Sequence, residues 1–183
     1  MNYYISDLHF GHANVIKFDN RPFETVEEMD RVMIENWNAR VRDEDHVYIV
    51  GDLIFRSGQA PEWYLKQLKG HKHLVIGNHD HRWMKNISEE KLEKYFDDVQ
   101  PMMFIVDQGN EIHLCHFPIA EWAKFHRGAY HIYGHIHNRT DEAYQFMKRY
   151  DNALNAAASI NNYMPVTLQE LVMNNRIFKE MNE

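Results

Sequence analysis

The 183-residue chain has little of several features that mark particular protein classes. Its single cysteine, Cys115, excludes a disulfide within the chain and is typical of a reducing, cytoplasmic setting. Its five prolines and eight glycines are scattered, so no flexible linker divides the chain. No apolar run approaches the length of a membrane span, and Asp7 and His9 come too early for a secretory signal peptide. We therefore expect one cytoplasmic domain over residues 1–183.

Basic residues are also in the minority. Lys and Arg number 20 against 27 Asp and Glu, which gives a net charge of -7. A general binder of duplex DNA relies on basic charge, so neither duplex DNA nor a membrane surface is an expected partner. A small anionic substrate remains compatible, because bound metal ions can supply the missing positive charge.

Short apolar runs rich in β-branched and aromatic residues recur along the chain. They predict strands over residues 3–5, 47–50, 73–76, 103–106, 112–115 and 131–133. Helical patterns lie between and after them. Their signals are a capping-box pair at Thr25 and Glu28, a start at Pro61 with a stop at Gly70, a cap at Ser88, and a second capping-box pair at Thr167 and Glu170. This order predicts an α/β domain with a mixed sheet, and the β-rich stretch over residues 103–133 predicts part of a second sheet.

Polar side chains follow five of the six predicted strands, at the point where each strand ends. They are Asp7 and His9 after the first strand, Asp52 after the second, Asn78, His79 and Asp80 after the third, His116 after the fifth, and His135 and His137 after the sixth. The functional crevice of an open α/β sheet lies outside the carboxyl ends of its strands. These residues are therefore expected to gather at one edge.

The residue types in this set are those of a metal site. Carboxylate oxygens, an amide oxygen and neutral imidazole nitrogens are all metal ligands, and seven such groups exceed the four that one zinc ion takes. They suit two metal ions about 3.5–4 Å apart with a shared carboxylate. Without a thiolate, the set favours Mn, Fe, Zn or Ni. The glycines that precede Asp52, Asn78 and His135 are expected to allow sharp backbone turns.

Each motif has an ordinary structural explanation when it stands alone. A Gly-Asp pair is a common turn, and a single histidine such as His116 is more often structural than a ligand. Two histidines at positions i and i+2, as in His135 and His137, are a stronger signal. The joint order of the motifs carries the metal-site interpretation.

These motifs resemble those of the calcineurin-like metallophosphoesterase superfamily. In family order they are Asp7-x-His9, Gly51-Asp52, Gly77-Asn78-His79-Asp80, His116 and Gly134-His135-x-His137. Further likeness to the small single-domain bacterial and phage phosphoesterases comes from Arg21-Pro22-Phe23, Trp37-Asn38 and residues 161–167. Residues 155–159 depart from the Asn-Val-Gly-x-Asp pattern often found in that group.

The resemblance implies a four-layer α/β/β/α sandwich with two mixed β-sheets, the metallophosphoesterase-like fold. It also implies two divalent metal ions, with manganese expected. Asp7, His9 and His137 would hold one ion, Asn78, His116 and His135 the other, and Asp52 would bridge them.

The implied reaction is hydrolysis of a small phosphate ester, with a nucleotide-like ester among the candidates. A hydroxide that bridges the two metals attacks phosphorus directly, and His79 acts as the general acid for the leaving group. The absence of a large insertion between motifs suggests an open site and favours a phosphodiesterase over a phosphomonoesterase.

Two other functions remain open from the sequence. One is a catalytically silent binding module with the same fold, and the other is a metal hydrolase that acts on a non-phosphate bond. His12, Asn14, Arg56 and Arg139 follow the motifs and are either substrate contacts or solvated loop residues. Asp80 either orients His79 or belongs to a turn. Histidines outside the motifs, among them His71, His73 and His131, have no role in this scheme.

Overall fold

Two four-stranded sheets form the centre of the fold, and each contains four strands that are consecutive in the chain. The structure is a computed structural model that describes residues 1–182. The strands are β1 (Asn2–Ile5), β2 (His46–Ile49), β3 (His71–Val75), β4 (Asp98–Gln100), β5 (Met102–Asp107), β6 (Asn110–Cys115), β7 (Tyr130–Tyr133) and β8 (Ala153–Asn155). The helices are α1 (Ala13–Phe18), α2 (Val26–Arg40), α3 (Pro61–Leu65), α4 (Asp80–Met84), α5 (Glu89–Tyr95), α6 (Glu142–Met147) and α7 (Leu168–Met181). Short 3₁₀ turns cover Phe125–Arg127 and Ala158–Ile160.

The pairing of the strands places the carboxyl ends of all strands except β5 at a common edge. In the first sheet β1, β2, β3 and β4 are parallel throughout. In the second sheet β5 and β6 are antiparallel, whereas β6, β7 and β8 are parallel. The only antiparallel contact to the first sheet within residues 1–182 is the isolated bridge between Tyr4 and Val166. The expected α/β fold with two sheets is confirmed, with most of the mixed pairing in the second sheet.

Alternate side chains of the strands belong to different cores, as the two-residue period of a strand requires. In β1, Tyr3 and Ile5 pack against the helices, whereas Tyr4 faces the second sheet. One core lies between the first sheet and the helices α2, α3 and α4, and a second lies between the two sheets. A third core, which includes Tyr133 and Tyr144, lies between the second sheet and α6. These cores define four layers in the order α/β/β/α.

The helix signals in the sequence correspond to helices, with differences at their ends. Thr25 accepts a hydrogen bond from the backbone of Glu28, but the Glu28 carboxylate accepts from the backbone of Glu24, so this capping box is only half formed. The box of Thr167 and Glu170 at the start of α7 is complete. Helix α3 ends at Leu65, well before Gly70, and Ser88 makes no capping bond to α5. No helix within residues 1–182 combines the length and apolarity needed to cross a bilayer.

The segment at residues 155–159 joins the two sheets. The backbone of Ser6, at the end of β1, donates to the carbonyl of Ala156 and accepts from the N–H of Ala158, at 2.8 and 2.9 Å. Ala156, Ala157 and Ala158 are fully buried in this seam, where the backbones of the two sheets run side by side. Residues 155–159 depart from the Asn-Val-Gly-x-Asp pattern of the small phosphoesterases, but they still form a regular hydrogen-bonded connection between the two sheets.

Candidate metal centre

The carboxyl ends of five strands bring the seven predicted ligands together. Asp7 and His9 follow β1, Asp52 follows β2, and Asn78 follows β3, all from the first sheet. His116 follows β6, and His135 and His137 follow β7, from the second sheet. Both sheets therefore contribute to one cluster at their shared edge.

One group of donor atoms surrounds the imidazole of His9. Its Nε2 lies 3.2 Å from Nε2 of His137, 3.7 Å from Oδ2 of Asp52 and 4.0 Å from Oδ1 of Asp7. Nε2 of His137 is 3.4 Å from the same Asp7 oxygen. Bonds of about 2.1 Å to a common ion place neighbouring donors about 3–4 Å apart. The spacing of Asp7, His9 and His137 is therefore suited to one metal ion.

A second group of donor atoms surrounds the side-chain oxygen of Asn78. This Oδ1 lies 2.9 Å from Nε2 of His116 and 2.9 Å from Nδ1 of His135. Nε2 of His116 is also 3.4 Å from Oδ2 of Asp52. The same Asp52 oxygen therefore lies within 4 Å of a donor in each group, through His9 and through His116.

The outer nitrogens of two histidines have partners that fix the orientation of the rings. Nδ1 of His116 lies 2.9 Å from the carbonyl oxygen of Val50, which can only accept, so this nitrogen carries the proton. Nδ1 of His137 lies 2.6 Å from Oδ2 of Asp19 and donates to it. In the neutral rings the lone pair is then on Nε2, which points into the cluster. Metal-binding histidines commonly show this arrangement.

Asp19 and Arg21 support the cluster from outside, and sequence analysis assigned neither of them a role. The buried guanidinium of Arg21 donates to the carbonyls of Asp7 and Leu8 and to the Asp19 carboxylate. It therefore fixes the backbone that carries the first ligand and the carboxylate that holds His137. The Arg21-Pro22-Phe23 motif was the available signal, but nothing local in the sequence connects Asp19 with His137.

Five of the seven predicted ligands have strained backbones. Asp7, His9, Asp52, His135 and His137 all have positive φ, between 51° and 69°. Non-glycine residues rarely adopt this left-handed conformation, which costs about 1–2 kcal/mol per residue. The surrounding structure must compensate for that cost, and strain of this kind is typical of functional sites.

The glycines beside the ligands act mainly through space. Gly51 has φ +87°, as expected of a glycine in a sharp turn, but Gly77 and Gly134 do not have left-handed backbones. A Cβ on Gly77 would lie 2.3 Å from Oδ1 of Asp52, and one on Gly134 would lie 2.5 Å from Oδ2 of Asp7. The expectation of sharp turns therefore holds at Gly51 and is wrong at the other two, where the ligand carboxylates occupy the space of the missing side chain.

Asp52 and His116 lie 3.4 Å apart and shift each other's pKa. Burial opposes their ionisation, but the hydrogen bond and charge of His116 outweigh it and lower the pKa of the Asp52 carboxyl. The same contact with Asp52 and the charge of Asp7 raise the pKa of His116 despite its burial. Burial and the neighbouring His137 lower the pKa of His9 well below its usual value. A metal ion would take the place of the proton that His116 carries.

Asp80 connects the loops that carry Asp52 and Asn78. Its carboxylate, fully buried, accepts hydrogen bonds from the backbone N–H groups of Asp52, Leu53 and Gly77 and from the indole of Trp83, all at 2.7–2.9 Å. Of the two roles considered from the sequence, the structure places Asp80 in the loop framework and shows no bond from its carboxylate to the His79 ring.

His79 lies at the mouth of the cluster, between the ligands and an open cleft. Its Nε2 is 3.9 Å from Oδ2 of Asp52, and its backbone N–H donates to the other Asp52 oxygen. Its ring packs edge-on against Phe55, and its side chain is 31% exposed, so a ligand in the cleft could reach it. Nδ1 of the ring is buried and has no hydrogen-bond partner.

The adjacent cleft has a volume of about 580 Å³. His12, Asn14 and Arg56, which sequence analysis considered as substrate contacts, line it. Arg82, which it did not consider, lines it as well, three residues after His79 and on the same face of α4. The guanidinium groups of Arg56 and Arg82 both lie over the ring of Phe55, at 5.4 and 5.2 Å.

Arg139 does not line this cleft. Its Nη1 pairs with the Asp141 carboxylate at 2.9 Å, and its Nε donates to the carbonyl of Ile136. The structure thus separates Arg139 from His12, Asn14 and Arg56, with which the sequence grouped it.

The buried donors fit a metal centre by their chemistry. His9 keeps a ring nitrogen, Nδ1, that is buried without a partner, and its Nε2 faces a nitrogen and two carboxylates. Neutral imidazoles and carboxylates that converge within 4.8 Å are the ligands of Zn²⁺, Mn²⁺ and Fe²⁺. The described residues thus form a four-layer α/β/β/α fold whose His and Asp groups could bind metal ions.

Comparison with known proteins shows the family to which the chain belongs. The chain is 33% identical over 186 residues to the uncharacterized protein MJ1445 of Methanocaldococcus jannaschii, across 99% of this chain and 96% of that protein. It belongs to the same family as that archaeal protein. It is also 29% identical over 161 residues to the Gene 66 protein of Mycobacterium phage L5, across 74% of this chain and 77% of the phage protein.

A solved structure shares the fold. The crystal structure of AQ665 from Aquifex aeolicus, a protein of unknown function, is similar with a TM-score of 0.71 and 27% sequence identity. The similarity covers 93% of this chain and 96% of the Aquifex chain. No protein-family model matches the sequence.

Proposed function

We propose that the chain is a metal-dependent phosphoesterase of the calcineurin-like superfamily that prefers phosphodiesters. The observation that carries the proposal is the pair of donor groups that share Oδ2 of Asp52. A carboxylate between two such groups is the arrangement of a two-metal site that acts on phosphate esters. The cluster opens directly onto the cleft, where a substrate can reach it.

The proposed ligand sets follow the two groups. Asp7, His9 and His137 would hold one ion, and Asn78, His116 and His135 would hold the other, with Asp52 able to contribute to both. When bound, two divalent cations, Mn²⁺ in this proposal, would supply Lewis-acid chemistry to the phosphate oxygens and make a water molecule nucleophilic near neutral pH.

His79 would supply the proton for the leaving alkoxide. Its backbone is tied to Asp52, which fixes the ring beside the cluster, while its Nε2 remains open to the cleft. Phe55 packs against the ring and limits its rotation. A positioned acid of this kind contributes about 10²–10⁴-fold to the rate.

The cleft, of about 580 Å³, has room for a substrate with two substituents on phosphorus. Arg56 and Arg82 bring positive charge to one wall, and Phe55 lies between them and His79. Guanidinium groups recognise phosphate oxygens. A short single strand or another small nucleotide-like diester fits these features, whereas duplex DNA and membrane surfaces are not proposed as partners.

The first experiment measures hydrolysis by protein that has been stripped of metal and then supplied with Mn²⁺. The substrates are bis-p-nitrophenyl phosphate, p-nitrophenyl phosphate and a dinucleotide, whose alkoxide is a poor leaving group. We expect turnover that depends on the metal and is faster on diesters. His79→Ala should bind the metal as the wild type does and lose about 10²-fold or more on the dinucleotide. His81→Ala, an exposed histidine on the same helix, serves as the control.

Other outcomes identify the alternatives. A folded protein that binds two metal ions and hydrolyses none of these substrates would support a binding module with this fold. Metal-dependent cleavage of a carboxylic ester or amide without any phosphate product would support a hydrolase for non-phosphate bonds. Equal dinucleotide rates for wild type and His79→Ala would remove the general-acid role.

A further inference from the structure

Three histidines that the proposed function does not use lie at the opposite end of the first sheet. His46 begins β2 and is paired in register with His71, which begins β3. His73 follows two residues later on β3, so all three side chains project from the same face of the sheet. The candidate centre lies beyond the carboxyl ends of these strands, and a four-residue strand is about 13 Å long. The histidines are therefore separate from that centre.

Two of these rings direct nitrogens at each other beside a carboxylate. Nδ1 of His46 lies 2.9 Å from Nε2 of His73. One donor atom from each of His46, His73 and Asp97 lies within 4.8 Å of the other two. Asp97 immediately precedes β4, the neighbour of β3, so three adjacent strands converge on this point.

The rings are fixed in orientations that suit a bound cation. Nδ1 of His73 lies 2.8 Å from Oδ2 of Asp98 and donates to it, which leaves the lone pair of Nε2 directed at His46. The ring of His73 also stacks on Tyr48, with the centroids 4.6 Å apart. Nδ1 of His71 is 2.9 Å from Oδ2 of Asp97, and this contact orients the carboxylate and leaves its other oxygen available.

We propose that His46, His73 and Asp97 bind a divalent transition-metal ion of the zinc class, with His71 and Asp98 orienting two of the ligands. Two imidazoles and a carboxylate form a zinc-type ligand set, and water would complete a tetrahedron. The carboxylates of Asp97 and Asp98 offset the charge of the ion. Asp97 is 47% exposed on its side chain, so an ion can enter from solvent.

A hydrogen bond between two neutral histidines would account for the short contact alone. That hydrogen bond alone does not explain the two nearby carboxylates. Asp98 is bonded to Nδ1 of His73, and an oxygen of Asp97 lies within 4.8 Å of a nitrogen of each of the two rings. The two explanations differ in one measurable respect, because only a metal site binds an additional ion.

The test counts bound ions on the full chain. Metal-free protein is dialysed against Co²⁺, and bound cobalt is counted by elemental analysis together with its visible absorption spectrum. The variants are His46→Asn and Asp97→Asn. The Asp97 side chain is exposed, so its substitution leaves the core intact. His126→Asn, an exposed histidine outside both clusters, is the control. Thermal unfolding monitored by circular dichroism confirms that each variant is folded.

We expect both ligand variants to bind one equivalent of Co²⁺ less than the wild type, with the loss of the tetrahedral cobalt absorption, while His126→Asn matches the wild type. Equal stoichiometry and equal spectra in all four proteins would overturn the proposal. The result is independent of the phosphoesterase proposal, because His9→Ala at the candidate centre should leave this additional equivalent in place.

Discussion

Oδ2 of Asp19 lies 2.6 Å from Nδ1 of His137, although the two residues are 118 positions apart in the chain. The same oxygen is 3.0 Å from the buried guanidinium of Arg21. Burial opposes ionisation of Asp19, but the hydrogen bond and charge of His137 and the charge of Arg21 outweigh it and lower the pKa of this carboxyl. A charged acceptor is therefore fixed behind a proposed metal ligand.

Removal of that carboxylate should weaken metal binding. In Asp19→Ala, the His137 ring loses the partner that fixes its orientation and tautomer, so we expect a 10–100-fold lower affinity for Mn²⁺. Equilibrium dialysis with metal analysis measures it. Asp151→Ala removes an exposed carboxylate from the same protein and is the control. An unchanged affinity in Asp19→Ala would show that His137 is oriented without Asp19.

Asp80→Asn should loosen two ligand loops at once. The carboxylate accepts four hydrogen bonds, three of them from the backbone around Asp52, Leu53 and Gly77. Asparagine has the same shape, but its NH₂ group replaces one of the carboxylate oxygens. A donor would then face the N–H groups that now donate to that oxygen. We expect a loss of at least about 2 kcal/mol in the free energy of unfolding, measured by urea denaturation. Glu93→Gln, at an exposed position of α5, should leave stability unchanged. A wild-type unfolding curve for Asp80→Asn would contradict the framework role.

Gly134→Ala should displace Asp7. The new methyl group would lie 2.5 Å from both Oδ2 of Asp7 and Oγ of Ser6, so both side chains or the Gly134 backbone must move. We expect Mn²⁺ affinity at the candidate centre to fall at least about 10-fold, the range found when groups that position ligands are lost. Gly58→Ala is the matched control, because a Cβ at Gly58 meets nothing within 4 Å. Equal affinities in the two variants would mean that the loop relaxes around the methyl group.

His131 should make stability dependent on pH. Burial lowers its pKa to about 4, although a hydrogen bond to the His113 carbonyl partly opposes the shift. The unfolded chain takes up a proton near pH 6.5 and the folded chain only near pH 4, so stability present above pH 6.5 is lost as the pH falls through this window. The loss from this residue is about 3 kcal/mol.

The comparison with His131→Gln isolates this contribution. Glutamine stays neutral over the whole window, so its variant should lose about 3 kcal/mol less between pH 6.5 and pH 4 than the wild type. Urea denaturation at a series of pH values, with a chelator present, measures the difference. Curves that run parallel would show that His131 does not titrate in this way. His126→Gln, at an exposed site, should follow the wild type.

Sequence patterns were sufficient to predict most of the strands and the place where their ends meet. The buried strands that end at Ile5, Ile49 and Val75 are followed within three residues by Asp7, Asp52 and Asn78, and this change in polarity is a local signal. The strands β4 and β8 were missed because neither is a run of β-branched and aromatic residues: their sequences are Asp-Val-Gln and Ala-Leu-Asn. Pairing with neighbouring strands defines them.

Contacts between distant segments were not predictable. Asp19 and Arg21 lie in a loop between α1 and α2, and only the folded chain shows that they reach the loop of His137. The positive φ angles of the ligands were also missed. The sequence suggested that the neighbouring glycines would carry the unusual conformations, whereas residues such as Asp7 and His135 adopt them.

The seam between Ser6 and residues 156–158 has a consequence for the order of folding. The first and last strands of the two sheets meet there, beside the proposed ligands, although they are far apart in the chain. Contacts between such distant segments form late, because closing a long loop costs conformational entropy that is offset only once the contact has formed. On the ribosome, β1 must therefore remain without this partner until β8 has been synthesised. The site can therefore be completed only after residues 156–158 have been synthesised, so a shorter nascent chain cannot assemble it.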